Sequence, residues 1–126
     1  MEESETQELF RQLKALMAPY ATHLNLIKDD TRTYHLDTFH IMKNKKPMFF
    51  GSVNIGKNYL SYHLMPVYVK PKLLDAISPP LKKRMQGKSC FNFKATDTDL
   101  FSELATLTRA GYEFYVDEGY VTEQQS

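Results

Sequence analysis

The chain has no tryptophan, a single cysteine, only five glycines, and no apolar run long enough to cross a bilayer. Each shortage excludes something. One thiol, Cys90, can close no internal disulfide and anchor no multi-thiolate zinc centre, which fits a reducing compartment. A spanning helix needs about eighteen or more consecutive apolar residues, and the stretch before Asp30 is acidic and polar, unlike a secretion signal. The expectation is a cytoplasmic protein with no membrane partner.

What is present suits one domain with one core. The 126 residues are 42% hydrophobic and include eight tyrosines and eight phenylalanines, ample bulky material for a chain that should bury roughly two-thirds of its unfolded surface.

Ser4-Glu5-Thr6-Gln7 reads as a capping box, and Leu9, Phe10, Leu13, Leu16 and Met17 follow at helical spacing, predicting a helix over Ser4 to Ala18 that Pro19 limits. From Leu24 to His40 two extended pieces flank an Asp29-Asp30 turn, and Thr33 to His40 is the better strand. After a basic loop over Lys43 to Pro47, two strands flank Asn54-Ile55-Gly56-Lys57-Asn58. A tight turn centred on Gly56-Lys57 pairs Val53 with Leu60, Gly51 with Tyr62 and Phe49 with Leu64 as one apolar face. Met48, Phe50, Ser52 and Asn54 then share the opposite, mixed face with Tyr59, Ser61, His63 and Met65.

Pro71 suits a short helix to Ile77, and Ser78-Pro79 reads as an N-cap opening a second one to about Gln86. Gly87 ends it, Ser89 to Phe93 alternates as a strand, and Thr96 or Asp97 caps a last helix running through Gly111 to about Glu118. Gly111 marks close packing rather than a helix end, and the tail from Val121 to Ser126 should fray. The fold class is α+β: an antiparallel sheet of about four or five strands against an N-terminal and a C-terminal helix, with two short helices before the last strand.

The net charge of +1 hides a segregation along the chain. Residues 1–42 carry −3, residues 43–94 carry +10 from eleven Lys or Arg against Asp75 alone, and residues 95–126 carry −6. The basic middle suggests a surface for a small anionic ligand, although two acidic helices flanking a basic sheet also suit simple mutual attraction. Nucleic acid is disfavoured, because the aromatics are not interleaved with the lysines as a base-stacking platform needs.

Motifs that carry chemistry are sparse. Gly87-Lys88-Ser89 resembles the end of a phosphate loop, but Lys82 stands where the first glycine belongs, so no nucleotide cofactor is expected. Cys90 could pair with His35, His40 or His63 as a thiolate nucleophile, yet between Phe91 and Phe93 it reads as a small packed residue. His35 and His40 lie five apart on a strand and so face opposite ways. Glu2, Glu3, Glu5 and Glu8 could meet a hard cation, or simply complement a helix N-terminus.

Three stretches together resemble the YdhG-like family of small bacterial proteins, some described as frataxin-like iron chaperones. They are Lys46-Pro47 leading into the hairpin, Leu81 to Met85 with Gly87-Lys88-Ser89 and the strand to Phe93, and the last helix from near Leu100. The resemblance implies an α+β fold and, as an alternative function, iron binding through carboxylates of the acidic helices. The reading from the residues themselves is an intracellular binding or interaction module for a small anionic ligand, held by Lys57, Arg84 and Lys88 with Tyr59 and His63 on the mixed face. An enzyme of unknown reaction is the third alternative.

Overall fold

Leu9, Phe10, Leu13 and Met17 are all buried, and their spacing is why residues Glu3–Met17 form helix α1 with one face on the core. The structure, a computed structural model, describes residues 2–123. The N-cap is Glu2, without a side-chain bond, so the expected capping box is absent and Ser4 lies inside the helix. A 3-10 segment, Ala18–His23, leads from α1 to strands β1 (Asn25–Asp29) and β2 (Thr33–Ile41). Asp30 closes the turn between them by accepting the backbone N–H groups of Arg32 and Thr33.

Strands β3 (Pro47–Ile55) and β4 (Leu60–Leu64) form the hairpin. Its register differs by two residues from the expected one: Ile55 pairs with Leu60, Val53 with Tyr62 and Gly51 with Leu64. The ladder runs further towards the turn, where the Gly56 N–H donates to the Tyr59 carbonyl at 2.8 Å, leaving Lys57-Asn58 at the centre. A shift of two preserves side-chain parity, so Leu60 and Leu64 are buried while Ser61 and His63 face the other way, as expected.

A second difference changes faces. The β2–β3 pairing steps from Leu36–Gly51 to Asp37–Phe49, so Phe50 is an extra residue, a bulge. Phe50 is buried among the rings of Tyr20, Tyr112 and Tyr115, and Phe49 lies on the opposite side against His35 and His63. The expectation for these two neighbours was the reverse.

Beyond Met65 come a one-turn helix α2 (Pro66–Val69), which the sequence did not suggest, a 3-10 turn at Pro71–Ala76, and helix α3 (Pro79–Lys82). Ser78 caps α3 through its hydroxyl and is gripped in turn by Glu103, whose carboxylate accepts from the Ser78 N–H at 2.8 Å and hydroxyl at 2.7 Å. Helix α3 stops well before Gln86, because Met85–Gln86 is a short edge strand, β5, paired with β6 (Cys90–Phe93). Gly87 does take a left-handed φ of 78°, but in the β5–β6 turn rather than at a helix end.

The result is one antiparallel sheet of six strands in the order β1-β2-β3-β4-β6-β5, with α1 and the long α4 (Thr98–Asp117) covering one face. Asp97 caps α4, accepting the Leu100 N–H at 3.0 Å. At the middle of the core the Tyr62 hydroxyl meets Thr108 Oγ1 at 2.6 Å, joining β4 to α4. No helix among the described residues is long and apolar enough to cross a membrane. Of the expected frayed tail, Val121 is buried and donates its N–H to the Tyr115 carbonyl, and residues 124–126 lie outside the described residues.

Leu64→Ala should lose about 2 to 5 kcal/mol in urea unfolding, because Leu64 is fully enclosed. Gly111 gives a sharper test. A Cβ there would lie 2.8 Å from the Cβ of Pro66. Alanine gains about 1 kcal/mol of helix propensity over glycine, whereas overpacking costs about 1 to 3 kcal/mol. Gly111→Ala should therefore be net destabilising, and a raised melting temperature would contradict the close approach of α4 to α2.

Candidate functional site

Helices cover one face of the sheet, and the other is built from the alternate residues of every strand. His35, Ser52, His63, Cys90 and Gln86 are successive cross-strand partners across β2, β3, β4, β6 and β5. Thr33, Asn54, Ser61 and Asn92 form the next row, with Ser61 Oγ donating to Asn92 Oδ1 at 3.1 Å. The bulge adds Phe49 to this polar face, its ring 4.8 Å from that of His35 and 4.9 Å from that of His63.

The polar groups here already hold one another. His35 Nε2 lies 2.8 Å from Asp37 Oδ1, and His63 Nε2 lies 2.6 Å from Ser89 Oγ. Burial, with the charge of His35 second, holds the pKa of His63 below the ordinary imidazole value. Cys90 is half-buried on this face rather than in the core, since the alternation sends Phe91 and Phe93 inward instead. Burial pushes its thiol pKa up, so the neutral, unreactive form expected from the sequence is favoured for a different geometric reason. Among the described residues no carboxylate bonds to His63, and Ser89 is buried, so the pair lacks both the orienting group and the access that nucleophilic catalysis requires.

The five residues singled out from the sequence divide between two ends of the sheet. Lys57 and Tyr59 stand in the β3–β4 turn, and Arg84 sits beside that same end, its carbonyl accepting the Asn92 N–H. Lys88 stands in the β5–β6 turn, and because Cys90 pairs with His63 whereas Phe93 pairs with Leu60, that turn closes the opposite end. His63 lies on the open face nearer Lys88. The structure therefore joins Lys57, Tyr59 and Arg84 and separates Lys88 from them.

What joins them is Lys94, a residue not picked out from the sequence. A cleft of about 620 Å³ is lined by Arg32, Lys57 and Lys94 with Glu3 and Glu5. An adjoining one of about 350 Å³ is lined by Lys83, Arg84 and Lys94 with Asp97. None of these five cations forms an ion pair among the described residues. Only the crossing of β6 into α4 brings Lys94 between the β3–β4 turn and α3, so the sole sequence signal was its membership of the basic middle segment.

No family model, no curated protein and no solved structure matches this chain.

The depressed pKa of His63 has a testable consequence. A group that resists protonation in the folded state contributes stability that is fully present above its unfolded pKa of about 6.5. That stability is lost as pH falls below this value, until the folded pKa is passed. The unfolding free energy of the wild type should therefore drop between about pH 7 and pH 5, and His63→Gln should lack that component. Parallel pH profiles for the two proteins would remove His63 as its source.

Proposed function

We propose that this domain is a cytoplasmic, non-enzymatic binding module for a small anionic ligand, such as one bearing phosphate or carboxylate. The ligand is held at the end of the sheet where Lys57, Arg84 and Lys94 meet. One observation carries the reading: five cations, Arg32, Lys57, Lys83, Arg84 and Lys94, line two adjoining clefts without ion-pair partners among the described residues, although Glu3, Glu5 and Asp97 also line them. The N-termini of α1 and α4 also point to this end, since Ser4 and Glu5 share a cleft with Lys94, Ala95 and Thr96. Helix N-termini and unpaired cations add their fields, favouring an anion. Tyr59, 37% exposed beside the same turn, offers an aromatic edge.

Membership of the YdhG-like family is likewise proposed, on the order of helix, hairpin, short helices, strand and long helix. The iron-binding alternative draws no support from the geometry: among the described residues no group of three or more His, Cys, Asp or Glu side chains is placed to hold a metal ion.

The test is thermal stabilisation by phosphate over chloride at equal ionic strength, because a ligand of the folded state raises the melting temperature by mass action. The wild type and Lys88→Gln should respond alike, since Lys88 lies at the other end. The double variant Lys57→Gln/Lys94→Gln should lose most of the response. A response that survives in the double variant, or no saturable response in any protein, would overturn the assignment.

A further inference from the structure

A cleft of about 690 Å³ lies at the other end of the helical layer and has the opposite character. It opens between the 3-10 segment after α1 and the last two turns of α4. Its wall is aromatic: the rings of Tyr20 and Tyr112 lie 4.7 Å apart at 33°, backed by Phe50. Its charged groups are three carboxylates, Glu113, Asp117 and Glu123, against the single guanidinium of Arg109 and the imidazole of His23. Arg109 is 3.4 Å from Glu113, and Tyr112 donates its hydroxyl to Glu123 at 2.7 Å.

The helices make this end more negative still. Both α1 and α4 end beside the cleft, and a helix C-terminus carries roughly half a negative charge that lysine or arginine normally complements. Helix α4 has no basic residue in its last turn and has Asp117 there instead. Lys14, in the last turn of α1, is bound to Asp29 of β1 at 2.5 Å. Like charge at a helix end costs stability, and such locally broken rules concentrate at functional sites; Lys70, over the Phe114 ring, approaches the last turn of α4 but does not line the cleft, where positive charge is still favoured. A cation would supply it. The ring of Tyr20, half-buried at the cleft and backed by the buried Tyr112, favours an organic cation over a hydrated metal ion, because a π face attracts ammonium groups and buries alkyl surface together.

We propose that this cleft is a second binding site, for a small organic ammonium ion of the alkylammonium or arylalkylammonium class. The cation is seated against Tyr20, with Tyr112 behind that ring, and its charge is met by Asp117 and Glu113. The size suits a small molecule, within the range of a few hundred to about 1,000 Å³ usual for such sites. The site is independent of the anion-binding end, since the two lie at opposite ends of α1 and α4 and share no residue.

Benzyltrimethylammonium chloride is the probe, compared with sodium chloride and magnesium chloride at equal ionic strength and with benzyl alcohol as an uncharged aromatic. The wild type should show a saturable rise in melting temperature with the quaternary ammonium alone. Asp117→Asn separates ligand binding from folding: removing a like charge from the helix end should leave the unliganded protein at least as stable, while affinity for the probe falls about three- to tenfold. Tyr20→Leu should weaken binding as well, and the exposed Asp117 variant keeps the test open should Tyr20→Leu fold poorly. The proposal is overturned by no saturable response, by an equal response to benzyl alcohol or magnesium, or by unchanged affinity in Asp117→Asn.

Discussion

The bulge at Phe50 is the constraint on which the rest of the sheet depends. An uninterrupted β3 would send Phe49 inward with Gly51 and Val53 and leave Phe50 on the open face. With one residue unpaired, Phe50 and Gly51 both face the helices. The core then gains a ring that contacts Tyr20, Tyr112 and Tyr115, and the open face gains Phe49 between two histidines. The interrupted ladder is repaired from both sides: the Tyr115 hydroxyl donates to the Phe49 carbonyl at 2.8 Å, and the Met65 N–H donates to the Phe50 carbonyl at 2.9 Å. Gly51 follows from the same crowding, because a Cβ there would lie 2.8 Å from the His63 carbonyl oxygen.

Against that sheet α1 and α4 run in the same direction, which gives the domain an electrical axis. Their N-termini meet the cations around Lys94, and their C-termini meet the carboxylates around Asp117. The −3, +10 and −6 blocks of the sequence are thus not merely attracted to one another across the fold. Among the described residues, cations of the basic block gather without ion-pair partners at one end and carboxylates of the acidic block gather at the other, so two oppositely charged clefts follow from a single arrangement of helices.

Much of the fold was legible from local chemistry. The 3.6-residue period of Leu9 to Met17 and of Leu100 to Tyr115 located both long helices to within a residue or two. Ser78 declared its cap, Asp97 was one of two candidates for that of α4, and the alternation of Leu60 to Leu64 set which side of β4 is buried. The misses share a cause. The hairpin register, the bulge and the two-residue strand β5 are each decided by where a ladder between strands starts, shifts or stops, which the residue pattern of one strand alone does not set. Met85-Gln86 alone is too short to display a period, so the cap signal of Ser78 ran on unopposed.

The candidate sites divide in the same way. By itself the sequence determined that the charge is segregated, that His63 shares a face with Ser61, and that Cys90 has no activating neighbour along the chain. Only the tertiary structure decided which cations meet, because Lys57, Arg84 and Lys94 are brought together by the antiparallel run of β4 beside β6, the same pairing that carries Lys88 away. Likewise Tyr20 and Asp117 share a cleft only because α1 and α4 end at the same side of the sheet. Periodicity and capping are short-range and written in neighbouring residues. The convergence of side chains is long-range, and it follows from strand order and helix direction, which no local pattern encodes.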